Sequence, residues 1–83
     1  DEDHADLLVD AFSTGDPAYI ANALGVVARA KGMSQVARDA GVTREALYKA
    51  LSPSGDPKLS TLLGVMKALG VSLSASRPSE VQG

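Results

Sequence analysis

The sequence has 83 residues, 45% of them hydrophobic, and a formal net charge of −2, which suits one small domain with a single core of four or five short helices. The absence of cysteine excludes a disulfide framework and a thiolate metal site. No apolar run approaches the roughly 20 residues that span a bilayer, and the acidic start is unlike a signal peptide, so we expect a cytoplasmic protein. Because the first residue is not Met, we also expect the natural chain to begin earlier.

The charged residues are segregated along the chain. Residues 1–25 contain six Asp and Glu and no Lys or Arg, whereas residues 26–83 contain eight Lys and Arg against four Asp and Glu. The formal charges of the two parts are therefore −6 and +4. The negative net charge of the whole chain therefore does not exclude a nucleic-acid-binding surface on residues 26–83.

Apolar spacing and turn formers predict two helices in the first part of the chain. His4 to Phe12 has the spacing of one helical face, and Ser13-Thr14-Gly15 is expected to end this acidic N-terminal helix. Asp16-Pro17 predicts the N-cap and first position of a second helix, which runs to about Lys31. The predicted buried side of the second helix consists of Ile20, Ala23, Leu24, Val27 and Ala28.

Two shorter helices are predicted next, separated by a tight turn. Ser34 is expected to cap the third helix, and Gly41 ends it with the positive φ that a sharp turn demands. Thr43 is expected to cap the fourth helix. The inward residues of these two helices are predicted to be Val36, Ala37, Ala40, Leu47, Ala50 and Leu51.

The last third of the chain begins with a loop over residues 52–57, which is rich in turn formers. A fifth helix is predicted to open at Ser60 or Thr61 and to end at Gly70, and the alternation of residues 71–75 predicts a short strand. Residues 76–83 are expected to be a flexible tail. The apolar face here is wider than one small core requires, so we predict a dimer interface of Leu62, Val65, Met66, Leu69, Val71 and Leu73.

Residues 33–51, inside a domain that spans residues 15–75, have the pattern of a helix-turn-helix. The motif needs a small residue, a turn glycine, an apolar plug and two apolar anchors at set offsets, and the sequence supplies Ala37, Gly41, Val42, Leu47 and Ala50. An unrelated alanine-rich helical hairpin is the alternative, but the complete set favours the motif. We therefore predict that the fourth helix enters the major groove of DNA.

The predicted DNA-binding residues lie on the outer face of the fourth helix and near the start of the third. They are Ser34, Gln35, Arg38, Thr43, Arg44, Glu45, Tyr48 and Lys49. Arg44 can donate to O6 and N7 of a guanine, and Glu45 can accept from N4 of a cytosine. Tyr48 can touch a thymine methyl group or a phosphate, whereas Lys49 suits the DNA backbone. The polar start of the third helix can hold a phosphate.

Each of these residues also has an ordinary structural interpretation. Arg44 and Glu45 are, on most helices, solvated surface, Tyr48 could be half-buried core, and Ser34 is a helix cap first. The single histidine, His4, lies close to the N-terminus. No nucleophile–base pair, phosphate-binding glycine loop or metal-ligand spacing is present in the sequence, so we expect neither an enzyme nor a metal or cofactor site.

Two runs of sequence, GMSQVARDAGVTREALYKALSPSGDPKLSTL and ALGVSLS, carry a resemblance to a known family. Over about Gly15 to Ser74 the chain resembles the probable addiction-module antidote proteins, HigA-like members of the lambda-repressor-like, Xre-type helix-turn-helix superfamily. The resemblance implies an all-α, five-helix DNA-binding fold. It also implies a bacterial type II antitoxin that neutralises a RelE/ParE/HigB-like toxin and, usually as a homodimer, represses its own operon.

The resemblance assigns the recognition-helix role to the predicted residues of the fourth helix and a phosphate role to the region near Ser34 and Gln35. Gln35 and Gly41 are closer in sequence than the corresponding residues of typical Xre domains, so the role of that opening glutamine does not transfer directly to Gln35. Toxins of this class are typically basic, and residues 1–25 form an acidic, amphipathic segment, so we hypothesise that the toxin contacts this segment.

Two other functions fit the same residues. The first is a stand-alone Xre-type or phage-type transcription regulator, which would have the same DNA chemistry and no toxin. The second is a protein-interaction module that uses a helix-turn-helix scaffold without binding DNA.

Overall fold

A computed structural model describes residues 2–77 of the chain, with the side chains of residues 4–77. The described residues form five helices and no strand, which confirms the all-α prediction. The helices are α1 (Glu2–Thr14), α2 (Pro17–Lys31), α3 (Met33–Ala40), α4 (Arg44–Ala50) and α5 (Leu59–Ala68). None of the described helices combines the length and apolar character needed to cross a membrane.

The junction between α1 and α2 is built by short polar side chains. α1 continues through Ser13 and Thr14, where the sequence predicted a stop, because their hydroxyls donate to the carbonyl oxygens of Asp10 and Ala11 within the helix, both at 2.7 Å. Gly15, with a φ of 71°, then turns the chain. The Asp16 carboxylate accepts from the Ala18 N–H at 3.0 Å, which confirms the predicted N-cap of α2.

Gly32 alone separates α2 from α3. Its N–H donates to the carbonyl oxygen of Ala28 at 2.8 Å, and its own carbonyl oxygen accepts from the Val36 N–H at 3.0 Å. α3 therefore begins at Met33, with Gly32 at the N-cap position and no capping side chain. The prediction that Ser34 caps α3 is wrong, because Ser34 already lies inside the first turn.

α5 differs from its prediction at both ends. It begins at Leu59 rather than at Ser60 or Thr61, because the carbonyl oxygen of Lys58 already accepts from the Leu62 N–H at 2.9 Å. It ends at Ala68, and the chain turns at Gly70.

Residues 71–77, described after that turn, form no strand, so the predicted strand at residues 71–75 is wrong. An isolated extended segment has no neighbouring strand with which to exchange backbone hydrogen bonds. Residues 76 and 77 of the predicted tail are exposed and belong to no helix or strand, and residues 78–83 lie outside the described part of the chain.

All five helices contribute to one hydrophobic core. Leu24, Val36, Leu47 and Val65 are its largest fully buried side chains, and each contributes about 1.5–3 kcal/mol by its removal from water. α1 belongs to the same core through Leu8 and Ala11. α3 lies at the centre, because it packs against α2, α4 and α5, whereas α1 packs mainly against α2.

Candidate nucleic-acid interface

The turn between α3 and α4 is fixed by backbone hydrogen bonds that only a left-handed residue can form. Gly41 has a φ of 76° and a ψ of 27°, and its N–H donates to the Arg38 carbonyl oxygen at 3.2 Å. The Val42 N–H donates to the Ala37 carbonyl oxygen at 3.0 Å, which completes a Schellman motif. Val42 is half-buried against the core and so anchors the turn.

α4 starts directly after this turn. The Thr43 hydroxyl accepts from the Ala46 N–H at 3.0 Å, as the sequence predicted. Leu47 is fully buried, and Leu51, the residue that ends the helix, is also in the core. These two leucines fix which face of α4 is turned outward.

That outer face carries every residue that the sequence predicted for it. The exposed residues are Thr43, Arg44, Glu45, Tyr48 and Lys49. On α3 the predicted Ser34, Gln35 and Arg38 are exposed as well. Both helices therefore present polar side chains that are free of the core.

Arg44 and Tyr48 form a pair on the surface of α4. The guanidinium carbon of Arg44 lies 5.5 Å from the centre of the Tyr48 ring, and one guanidinium nitrogen donates to the Tyr48 hydroxyl at 3.4 Å. Tyr48 is 40% exposed and is not among the residues that pack against the core. A cation over an aromatic face at an exposed site is stabilised by about 0.5–1 kcal/mol. The pair thus restricts where the guanidinium points.

Gln35 belongs to a small network along α3 that the sequence analysis missed. Its amide nitrogen donates to both carboxylate oxygens of Asp39, at 3.0 and 3.1 Å, and its amide oxygen accepts from Arg38 at 3.0 Å. The i, i+3 and i, i+4 spacing of the three residues was the available signal. A phosphate that approached Gln35 would compete with Asp39 for the amide N–H donors, and one that approached Arg38 would compete with the Gln35 amide oxygen.

The loop after α4 is held close to the helix. The Ser52 hydroxyl donates to the Lys49 carbonyl oxygen at 2.8 Å, and the Gly55 N–H donates to the Ser52 carbonyl oxygen at 2.8 Å. A Cβ atom at Gly55 would collide with the carbonyl oxygens of Ala50 and Lys49. Position 55 therefore requires glycine, because the loop backbone lies too close to the end of α4 to leave room for a side chain.

The polar side chains of the described residues all lie at the surface. Among residues 4–77, no polar or charged side chain is buried. Within the same part of the chain, no group of three or more His, Asp and Glu residues is arranged to hold a metal ion. The chemistry of the described surface is therefore that of exposed hydrogen-bonding and charged groups.

The chain is similar to proteins of one family. A family model described as "Probable addiction module antidote protein" matches residues 1–77. A protein of Haemophilus influenzae, described as "Uncharacterized protein", is 60% identical over 52 residues, which are 63% of this chain and 54% of that relative. The chain spans about half the length of this curated relative. No solved structure matches the chain.

Proposed function

Since the chain belongs to the probable addiction module antidote family, we propose that it is the antitoxin of a toxin–antitoxin module. In this proposal the chain binds the operator DNA of its own operon and neutralises a partner toxin. The family supports the antitoxin part. DNA binding is supported by the exposed face of α4.

One observation carries the DNA-binding part. A buried Leu47 and a tight turn at Gly41 hold a short helix so that Arg44, Tyr48 and Lys49 all face outward. A helix of this kind, packed across a second helix and joined to it by a short turn, has the geometry that enters the major groove in helix-turn-helix proteins. The lambda-repressor-like fold is part of the same proposal.

The proposed contacts follow from the chemistry of each side chain. Arg44 donates two hydrogen bonds to O6 and N7 of a guanine, and Glu45 accepts from a cytosine amine. Lys49 neutralises a backbone phosphate, and Tyr48 donates to a phosphate or packs on a thymine methyl group. Thr43 and Ser34, at the starts of α4 and α3, hold phosphates with help from the adjacent backbone N–H groups. Gln35 reaches a phosphate only after its amide N–H leaves Asp39, and the Arg38 nitrogen that donates to Gln35 only after it leaves the amide oxygen.

A homodimer is part of the proposal, because a palindromic operator requires a two-fold protein. Val65 is fully buried and Met66 is 5% exposed in the core of the single chain, so these two predicted interface residues are not on its surface. Leu62, Leu69 and Val71 are half-buried and Leu73 is exposed, which leaves them available to a second copy. Leu59 and Leu63, exposed and one helical turn apart on α5, extend that apolar surface.

The proposed partner is a RelE- or HigB-like toxin that contacts the acidic N-terminal part of the chain. The charge of −6 over residues 1–25 supports a basic partner there. Co-expression of the chain with the product of the adjoining toxin gene should restore growth. Deletion of residues 1–13 should abolish binding in a titration, and unchanged binding would contradict the assigned surface.

The DNA-binding part is tested by fluorescence anisotropy with duplexes from the chain's own promoter and with shuffled duplexes of the same composition. We expect nanomolar affinity for the promoter duplex and a steep fall in affinity between 50 and 200 mM salt, as for proteins that neutralise several phosphates. Equal affinity for both duplexes would contradict sequence-specific binding. Failure to bind either duplex would favour the protein-interaction module.

A further inference from the structure

The outer side of α3 carries a short chain of hydrogen bonds that ends on a carboxylate. The Arg38 guanidinium donates to the Gln35 amide oxygen at 3.0 Å, and the Gln35 amide nitrogen donates to the two Asp39 carboxylate oxygens at 3.0 and 3.1 Å. A guanidinium only donates and a carboxylate only accepts, so these two neighbours permit a single orientation of the amide. Gln35 therefore directs its donor end toward Asp39.

The network lies where a DNA backbone can reach it. At 100° per residue, Gln35 and Arg38 lie on the side of α3 opposite the buried Val36 and Ala37. The three side chains of the network are exposed, and α3 packs directly against α4. In helix-turn-helix proteins the first helix of the motif crosses the DNA backbone while the second lies in the major groove. In the proposed complex, phosphates are therefore expected beside the outer side of α3.

Asp39 contributes little to the stability of α3. It lies in the last turn of the helix, one residue before the end at Ala40. A carboxylate there is disfavoured by the negative end of the helix dipole. Its hydrogen bond to Gln35, four residues earlier, offsets this by an effect of similar size. The main consequence of Asp39 is therefore a negative charge beside the donors that would bind a phosphate.

That carboxylate opposes phosphate binding at Gln35 in either of two ways. A phosphate that takes the same N–H must first displace it. A phosphate that takes the other N–H of the amide would bring its oxygen to about 5 Å from the carboxylate oxygens, because two acceptors at about 3 Å from one nitrogen lie about 120° apart. Two unit charges about 5 Å apart in water repel by an energy equivalent to about 4-fold in affinity.

We infer that Asp39 is an affinity-limiting residue of the DNA-binding surface, because its carboxylate occupies the Gln35 amide in place of a backbone phosphate. The free chain satisfies this donor internally, so α3 adds less to DNA binding than its exposed donors would allow. A phosphate contact carries no sequence information, so Asp39 lowers the affinity for every duplex alike and leaves discrimination to α4. This inference rests on the proposed DNA-binding function and adds a residue that regulates it.

The inference is tested by fluorescence anisotropy of the full chain with the promoter duplex and the shuffled duplex at 50 mM salt. Asp39→Asn removes the charge but keeps an oxygen acceptor for Gln35, so binding should tighten by about 2- to 5-fold. Asp39→Ala removes the acceptor as well and should tighten binding by a further factor of about 2 to 10, which is the effect of one hydrogen bond. Both duplexes should show the same factors.

A double-mutant cycle and a matched control separate competition from general charge. In a chain that also carries Gln35→Ala, the two substitutions of Asp39 should tighten binding equally, because only the charge is left to act. Asp6→Asn removes an exposed carboxylate from α1 and should leave DNA affinity within about twofold of the wild type. Circular dichroism melts of both Asp39 variants should lie within a few degrees of the wild type.

The outcomes distinguish the inference from the function on which it rests. If neither the wild type nor Asp39→Ala binds either duplex, the DNA-binding function fails and the inference fails with it. If the wild type binds and Asp39→Ala binds equally or more weakly, the function stands and Asp39 does not limit affinity. If Asp39→Asn and Asp39→Ala tighten binding equally while Gln35 is present, charge alone acts, and competition for the amide is refuted.

Discussion

Replacement of Arg44 by alanine is the most direct test of how α4 would read DNA. Arg44 is exposed, one turn from Tyr48, and its guanidinium lies 5.5 Å from the ring centre. A bidentate contact from arginine to guanine contributes about 1–3 kcal/mol of discrimination, which corresponds to about 5- to 150-fold in affinity. We therefore expect Arg44→Ala to weaken binding to the promoter duplex by that factor and to weaken binding to a shuffled duplex far less.

The Tyr48 ring is expected to make a second, smaller contribution to DNA affinity. Stacking on Tyr48 is worth about 0.5–1 kcal/mol at an exposed site, which is about 2- to 5-fold in affinity if the ring holds the guanidinium in place for the base. Tyr48→Leu should therefore lower the affinity for the promoter duplex by about 2- to 5-fold. Tyr48→Phe keeps the ring and loses only a long hydrogen bond of 3.4 Å, so its affinity should lie close to the wild type unless the hydroxyl contacts DNA.

The assay is fluorescence anisotropy with single-base variants of the promoter duplex, at several salt concentrations. Arg29→Ala, at the end of α2, is the matched control because it removes the same charge from an exposed position outside α4. If Arg44→Ala lowers affinity for the promoter and shuffled duplexes equally, Arg44 contacts phosphate and the base-reading argument is refuted. If Arg29→Ala weakens binding as much as Arg44→Ala does, the loss of one positive charge explains both effects regardless of its position.

Three further predictions concern stability. Leu47→Ala should lower the free energy of unfolding by about 2–5 kcal/mol, and a thermal melt within a few degrees of the wild type would contradict its place in the core. Gly55→Ala should cost about 1–3 kcal/mol in urea unfolding, because its Cβ meets backbone carbonyls, whereas exposed Ser54→Ala should be near neutral. The hydrogen bond of Tyr19 to Asp10, followed by partial desolvation and the Asp10 charge, raises the pKa of Tyr19. A raised pKa favours the protonated, folded form, so this contribution is complete below about pH 10 and is lost as the pH rises further, and Tyr19→Phe should remove that part of the pH dependence in urea unfolding.

Local chemistry made much of the fold predictable. The cap at Asp16, the left-handed turn at Gly41 and the cap at Thr43 depend on hydrogen bonds within a few residues, and all three are confirmed. The same reasoning failed at Ser34, because Gly32 already holds the N-cap position of α3 and its carbonyl oxygen accepts the first helical hydrogen bond. The kind of residue that caps a helix is therefore easier to predict than the position of the cap.

Features that depend on contact between distant elements were not predictable. Gly64 allows α5 to approach α3 closely, since a Cβ there would lie 3.1 Å from the Ala40 carbonyl oxygen at the end of α3. Alternation at residues 71–75 is shared by a strand and by a single segment lying along a helix, and only the tertiary structure decides between them. The α4 face was predictable because the buried Leu47 fixes it. The spacing of Gln35 and Asp39 indicated a contact within α3, but which atoms pair depends on side-chain rotamers.

The segregation of charge in the sequence has a spatial counterpart that bears on both proposed surfaces. The acidic helix α1 packs mainly on α2, whereas α4, with Arg44 and Lys49, packs mainly on α3. Packed helices lie about 8–10 Å apart, and charges in physiological salt are screened over about 8 Å. The two intervening helices, α2 and α3, are therefore enough to reduce the repulsion that α1 would exert on a DNA phosphate at α4. A chain of net charge −2 can in this way carry an anion-binding face and a cation-binding face on one core, each acting on its own partner.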